Sequence, residues 1–184
     1  MQKVKRFTIL SVLAILSFGA KAQDTRTDNH QITIVVPDVA LLDLETSVSK
    51  NFSSTFSQTK EAGDKVVLPT ANTDIWLNYS SILPTAVGSR RVDVKASALV
   101  TGVDISVEAG ESSTGFGTKG GATGVVTLTT SDQTIINKIG SAYTVTGAKN
   151  GHLLTYSFAA LDANYANLRA ASTAVTVTYT LVDN

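Results

Sequence analysis

The stretch at residues 173–182 constrains the fold more than any other part of the chain. Apolar side chains occupy every second position and threonines the positions between: Val175, Val177, Tyr179 and Leu181 alternate with Thr176, Thr178 and Thr180. Successive side chains of a β-strand point to opposite faces, so this pattern predicts a strand with one buried and one solvent-facing side. β-branched and aromatic residues also suit a half-buried pleated surface. A strand this regular needs partners, and similar patterns recur along the chain.

Further alternating or short apolar runs predict the partner strands. They lie at residues 32–36, 39–45, 65–68, 74–80, 91–96, 102–108, 124–130, 142–146 and 152–158. Nine or ten short strands separated by turn residues predict an all-β fold, an immunoglobulin-like antiparallel β-sandwich, with a barrel as the alternative. No repeat period is present, which argues against a repeat array.

One segment breaks the alternation and predicts a short helix near residues 131–139. Ser131 suits the N-cap and Gly140 the left-handed stop, while Ile135, Ile136 and Ile139 would face the sheet. A second segment, residues 161–168, has helical spacing but fits an irregular connection equally well.

The intervening residues predict loops and local pairings. Residues 47–63 predict a loop that Phe52 and Phe56 hold against the domain, and the glycine-rich residues 110–124 predict a flexible loop. The turn at Gly102 predicts that strands 91–96 and 102–108 are neighbours. Gly147 and Gly151 predict a hairpin between strands 142–146 and 152–158.

The first 22 residues have the features of a secretory signal peptide. A basic start (residues 1–6) precedes an apolar run (residues 7–20) and the small-x-small pattern Ala20-Lys21-Ala22. The apolar run is about 14 residues, shorter than the roughly 20 that span a bilayer. We therefore expect cleavage after Ala22, no integral membrane segment afterwards, and export to the periplasm, the outer surface or the medium. No cysteine follows the run to carry a lipoprotein anchor.

The expected mature chain, residues 23–184, has the size of one domain. Removing 22 of 184 residues leaves 162, enough to bury about 70% of the surface of the unfolded chain. Of the 15 basic residues, four lie in the leader, so 11 remain against 15 acidic ones. A net charge near −4 gives no electrostatic reason to expect nucleic acid as a partner. Without cysteine the domain depends on its core, and bacterial export fits better than eukaryotic secretion.

The sequence nominates no catalytic, cofactor-binding or metal-ligating residue. Residues 115–120 match the letters of a dinucleotide fingerprint, but a strand rather than a helix follows them. His30 and His152 stand apart, so neither belongs to a ligand-spaced cluster, and we expect His152 to lie at the surface or to be partly buried. We expect a non-enzymatic protein without a cofactor.

Carboxylates and aromatic residues also fail to form a motif. Asp104 and Asp162 are isolated, so neither belongs to a calcium-binding loop. A glycosidase needs two carboxylates across a cleft, and no such pair can be nominated among Glu45, Glu61, Glu108 and Glu111. Trp76 and Tyr79 would lie on opposite faces of one strand, so they cannot form one sugar-stacking platform. We expect Tyr79 to lie in the core.

The leader, the alternating segment at residues 31–36 and the alternating C-terminal strand resemble fimbrial subunits of Gram-negative bacteria. This resemblance implies a pilin-like β-sandwich to which a neighbouring subunit adds a strand from its N-terminal extension. The chain departs from that family in lacking a disulfide. The family places an aromatic residue next to last, whereas here Tyr179 is sixth from the end. Ala171 lies where the family has a glycine.

Two functions are therefore expected from different classes. The first is an exported structural subunit or adhesin-like surface protein, whose partners are copies of itself or related subunits and an export chaperone. Recognition would then lie in loops such as residues 112–123. The alternative is a monomeric secreted or periplasmic module that binds a carbohydrate or a protein.

Overall fold

The computed structural model describes residues 26–184, and the predicted leader lies outside them. Val36–Asn184 form one compact unit. The described strands, in chain order, are β1 (Val39–Thr46), β2 (Asn72–Ile82), β3 (Arg90–Ala96), β4 (Asp104–Ala109), β5 (Phe116–Ala122), β6 (Val125–Thr127), β7 (Gln133–Tyr143), β8 (His152–Ala159) and β9 (Val177–Asp183). A 3₁₀ helix, Asp162–Asn167, precedes β9. The predicted all-β class is confirmed.

The nine strands form one antiparallel hydrogen-bonded network that folds into two layers. The first layer has the order β6-β4-β8-β2-β1, and the second has the order β5-β7-β3-β9. Ser80 and Ser81 of β2 pair with Tyr143 and Ala142 of β7, which joins the layers at one end. The result is a sandwich whose two sheets are continuous through β2 and β7.

Apolar residues of both layers meet in one core. The most deeply buried are Leu77, Val92, Val94, Val107, Ile135, Ile136, Ile139 and Leu154. At the β9 side of the core, the Tyr156 and Tyr179 hydroxyls are 2.7 Å apart and link β8 to β9 across the layers. The predicted face of the C-terminal strand is confirmed, because Val175, Val177, Tyr179 and Leu181 pack against this core.

Arg90 forms a second polar link between the two layers. Its side chain is only 2% exposed and binds Asp183 at 2.6 Å and Asp38 at 2.8 Å. Its guanidinium also donates to the carbonyl of Val39 and to the hydroxyl of Ser81. The hydrogen bond to Asp38 raises the pKa of Arg90, although burial opposes this effect. One buried side chain on β3 thus holds the start of β1, the end of β2 and the end of β9.

The predicted helix near residues 131–139 is wrong, because this segment lies in β7. Relative to β3, β7 carries two extra residues, one between Thr134 and Ile136 and one between Ile136 and Ile139. Lys138 takes a positive φ of 59° at the second irregularity. A bulge places two residues opposite one, so neighbouring side chains can point the same way. Two bulges therefore bury Ile135, Ile136 and Ile139, a spacing that imitates one face of a helix.

The predicted flexible loop at residues 110–124 is also wrong in its centre, where β5 pairs with β7. Gly117 and Gly120 adopt positive φ, which glycine tolerates, and they allow a close approach to β7. The fingerprint at residues 115–120 thus lies at the start of β5, and the next element is strand β6 rather than a helix.

Two predicted neighbour relations are wrong. β3 and β4 lie in different layers, because β3 pairs with β7 and β9 whereas β4 pairs with β6 and β8. β7 and β8 do not form a hairpin, because β2 lies between them. In both cases the turn residues lie where the chain passes from one layer to the other, not in the tight turn of a hairpin.

The chain outside the strands agrees only in part with the predictions. Residues 32–36 form no strand and are exposed, and residues 65–68 contribute only a bridge between Val67 and Ser57. The predicted anchoring of the 47–63 loop is confirmed for Phe52, whose ring lies 5.4 Å from that of Tyr156.

Replacing Arg90 with methionine tests the link between the layers. We expect Arg90→Met to lower the free energy of unfolding by about 3 kcal/mol, because several charge-assisted hydrogen bonds are lost from a buried position. Urea unfolding followed by circular dichroism measures the change. Arg169→Met is the control, because Arg169 is exposed and donates only to nearby carbonyls. Equal losses in the two variants would contradict the assigned role.

Candidate binding cleft

An apolar cleft crosses the outer face where the two layers join. Strand register places four residues side by side there, because Leu41 pairs with Ser80, Ser80 with Tyr143, and Tyr143 with Phe116. Directly paired residues of an antiparallel sheet share a face. The small Ser80 lies between larger neighbours, which leaves a depression of about 530 Å³. We call it the Ser80 cleft.

The walls of the Ser80 cleft are exposed apolar side chains. Leu41 is 66% exposed and Phe116 is 74% exposed, and Tyr143 stands between Ser80 and Phe116. The Phe116 and Tyr143 rings are 6.1 Å apart at an angle of 49°. The remaining lining consists of Val39, Ser81, Ile82, Gly117, Ser141 and Ala142. All these residues are uncharged, so the cleft suits an apolar group or the apolar face of an amphipathic ligand.

Gly117 allows the Phe116 wall to form. Its φ is +92°, and a Cβ atom there would lie 2.2 Å from the carbonyl oxygen of Ser141 on β7. Any larger residue would push β5 away from β7 and move Phe116. The glycine thus serves a close strand contact rather than a phosphate.

A buried polar network supports β5 from the core side. Tyr79, on the opposite face of β2 from Ser80, contacts the carbonyl of Lys119 through its hydroxyl. His152 Nε2 lies 3.1 Å from the same hydroxyl, and Nδ1 lies 2.8 Å from the carbonyl oxygen of Gly110. A carbonyl only accepts, so Nδ1 carries a proton. The network joins β2 and β8 to Gly110, directly after β4, and to Lys119 in the middle of β5.

Lys119 and Glu111 complete this support. The Lys119 ammonium donates to the carbonyls of Ser112 at 2.7 Å and Thr114 at 2.9 Å. A Glu111 carboxylate oxygen accepts the amide of Ala122 at 3.0 Å. Both charged groups therefore hold the 110–122 backbone.

The expected position of His152, at the surface or partly buried, is wrong, because its side chain is fully buried. Burial lowers the pKa of His152 below its ordinary value of 6.5, and the Lys119 charge adds to this effect. The Gly110 carbonyl and Glu111 oppose it. Burial likewise raises the pKa of Tyr79. The expected core position of Tyr79 is confirmed.

Of the other residues singled out in the sequence, Glu45 of β1 lies directly opposite Trp76 of β2. His30 is exposed, Asp162 forms an ion pair with Lys65, and Trp76 is half-buried on β2. Within residues 26–184 no three or more His, Cys, Asp or Glu side chains cluster to hold a metal ion. In the same part of the chain no helix is long and apolar enough to cross a membrane.

Sequence reasoning missed the Ser80 cleft, although β1 carried a signal for it. Leu41 and Leu42 are consecutive, so one of them had to lie on the outer face of a strand. The position of Phe116 gave no such signal, because glycines hid the strand that carries it. Comparisons with protein-family models, curated proteins and solved structures give no match to this chain.

A matched pair of glycine variants tests the close contact at Gly117. We expect Gly117→Ala to destabilise the domain by about 3 kcal/mol, because left-handed strain and a backbone clash add together. Gly124→Ala is the control, because Gly124 has the same φ of +92° but open space around it. It should lose only about 1–2 kcal/mol from strain. Thermal unfolding compares the two, and equal losses would exclude the clash.

The buried histidine predicts a pH dependence of stability. Because its folded-state pKa is lowered, the unfolded chain binds more protons as the pH falls below 6.5. The contribution of neutral His152 is therefore complete above this pH and is lost on acidification. We expect urea unfolding free energies to fall from pH 7.5 to 5.0, and His152→Gln to flatten this slope. His30→Gln is the exposed control, and an equal flattening in that variant would refute the assignment.

Proposed function

We propose that the chain is an exported structural subunit, fimbrial-like or adhesin-like, whose copies associate by strand addition. The observation that carries this proposal is the unpaired segment at residues 30–36. Ile32, Ile34 and Val36 alternate there, yet they are 70%, 82% and 67% exposed. An exposed segment with strand-like patterning has the sequence of a strand that lacks a sheet.

Strand β9 offers an edge that could receive this segment. β9 pairs with β3 on one side, and no described strand pairs with its other side. Its apolar residues Val177, Tyr179 and Leu181 pack against the core but are only partly buried. An added strand with alternating apolar residues would cover these side chains and satisfy the free backbone groups of the edge.

The free energy of such an addition is a balance of two terms. Burying each aliphatic side chain of the segment contributes about 1.5–3 kcal/mol, and the new backbone hydrogen bonds add to this. The cost is the conformational entropy of ordering about seven residues, at roughly 1–2 kcal/mol each. These opposing terms are similar in size, so association would depend on the fit of alternate side chains at the acceptor edge.

The proposed compartment is outside the cytoplasm of a Gram-negative bacterium, and the leader at residues 1–22 supports it. A subunit with an exposed apolar segment is prone to premature association. We therefore propose an export chaperone as a transient partner and other subunits as final partners.

Removing the segment tests the proposed function. We expect a deletion of residues 23–36 to abolish long assemblies while leaving a folded domain. Size-exclusion chromatography with light scattering and electron microscopy measure the assemblies, and circular dichroism measures the fold. Assemblies of unchanged length in the deletion variant would refute the proposal.

A point variant locates the effect within the segment. Ile34→Asp should shorten the assemblies, because a charged side chain would have to enter an apolar site. Val48→Asp is the matched control, because Val48 is also 82% exposed but lies in the loop after β1. It should leave assembly unchanged.

The Ser80 cleft favours a second candidate function, a monomeric secreted or periplasmic module that binds a carbohydrate or a protein. Exposed aromatic rings beside serine hydroxyls suit a ligand with one apolar face. A single monomeric species, together with a melting temperature raised by members of an oligosaccharide panel and no longer raised in Phe116→Ala, would favour this function over the first.

A further inference from the structure

Strand β1 is a long, regular open edge of the sheet. It pairs with β2 through eight consecutive residues without a bulge, from Val39 with Ile82 to Thr46 with Ile75. No described strand pairs with its other side. Sheet edges are ordinarily protected by proline, charged side chains, bulges or short length. β1, with the sequence VALLDLET, has no proline, lysine or bulge, and its charges are the carboxylates of Asp43, which binds Lys50 at 3.0 Å, and Glu45.

The other free edges differ from β1. β6 has only three residues, and β5 is interrupted by positive-φ glycines and a register shift. β9 is the edge that the proposed strand addition would use. β1 therefore remains as a long, regular edge for which the proposed function gives no partner.

Both faces of β1 carry apolar side chains that the chain itself covers incompletely. Leu42 and Leu44 pack against the core but are only partly buried. On the outer face, Leu41 is 66% exposed at the Ser80 cleft. At the free edge, the amide of Leu44 donates to the side chain of Asp43 at 2.8 Å instead of to a neighbouring strand. A neighbouring strand would cover apolar groups on both faces at once.

We propose that two copies of the chain pair antiparallel through their β1 strands, so that the first layer continues from one copy into the other. A two-fold axis perpendicular to the sheet keeps the core-facing residues of both copies on one face and the outward-facing residues on the other. Even-numbered residues of one copy therefore pair with even-numbered residues of the other, and odd-numbered with odd-numbered. The register centred on Leu42 pairs Leu42 with its counterpart, Ala40 with Leu44, Leu41 with Asp43, and Val39 with Glu45.

This register is favoured by the charges of the strand. It places no carboxylate opposite another carboxylate, whereas a register centred on Asp43 would set the two Asp43 side chains directly opposite each other. Like charges in that position are destabilising. Centring on Leu42 also pairs all seven residues from Val39 to Glu45. The strand is therefore complementary to itself.

The interface is distinct from the proposed strand addition, because it uses neither residues 30–36 nor β9. It also brings the Leu41 walls of two Ser80 clefts to the same outer surface. A pair of copies would thus present both clefts on one face, each with Asp43 of the other copy beside its Leu41 wall.

Sizing of the full chain tests the pairing. We expect a dimer at about 100 µM that dissociates at least tenfold more readily in Leu41→Asp, because the proposed register sets the new carboxylate directly opposite Asp43 of the other copy. Leu99→Asp is the control, since Leu99 is 61% exposed between β3 and β4. If Leu41→Asp fails to fold, as judged by circular dichroism, Ala40→Asp replaces it. A monomeric wild-type chain, or a dimer unaffected by a new carboxylate in β1, would overturn the inference.

Disulfide trapping tests the register. The chain contains no cysteine, so Leu42→Cys provides a single thiol that the two-fold axis places opposite its counterpart. Opposite residues in an antiparallel pair lie within the Cα separation that a disulfide spans. We expect rapid disulfide-linked dimers with Leu42→Cys and few with Leu99→Cys. Equal trapping in the two variants would exclude this pairing.

The deletion of residues 23–36 separates this inference from the proposed function. If the deletion variant that also carries Leu42→Cys still forms the disulfide-linked dimer but no long assemblies, the β1 interface and the proposed strand addition are both supported. Loss of the dimer upon deletion would refute the β1 interface and leave the proposed function standing. A trapped dimer together with unchanged long assemblies would refute the proposed function and leave the interface standing.

Discussion

The arrangement of the two layers depends on the buried guanidinium of Arg90. The β2–β7 junction is short, with two residue pairs and one further backbone hydrogen bond from the amide of Thr144 to the carbonyl of Tyr79. Arg90 adds donors that are fixed in a plane and reach acceptors in β2, in β9 and at the start of β1. Its partners Asp38 and Asp183 remain half-exposed, so part of their charge stays solvated. This avoids much of the desolvation cost of a fully buried ion pair.

The regular part of the fold could be predicted from the sequence, because strict alternation has a single physical meaning. β2, β3, β4 and β8 follow the predicted alternation closely, and β9 buries the predicted face. β7 could not be predicted in this way, because its bulges insert residues and change the apparent period from two to nearly four. The isoleucines themselves favoured a strand, since β-branched residues lose rotamer freedom in helices. Periodicity and residue preference disagreed, and residue preference was correct.

The candidate site was harder to predict than the core, because it depends on which strands become neighbours. Leu41, Tyr143 and Phe116 lie in three separate segments, and only the register through Ser80 brings them together. Turn residues gave the wrong neighbours, since Gly102 and Gly147 precede strands that lie elsewhere in the sheets. Gly117 stood in the sequence only within the fingerprint at residues 115–120, and the structure shows that it lets one backbone approach another.

The two long free edges follow from this strand order. The β2–β7 junction closes one end of the sandwich and leaves β1 and β9 as the outermost strands on the Arg90 side of their layers. A monomeric protein with such edges would be expected to carry lysine, proline or a bulge on each of them, because unprotected edges promote association. β1 itself has no lysine, proline or bulge, although Lys50 of the following loop binds its Asp43, and residues 30–36 add a second apolar surface without a cover. Uncovered apolar edges are costly in water unless other chains bury them, and on this physical ground we favour an assembling subunit over a monomeric binding module.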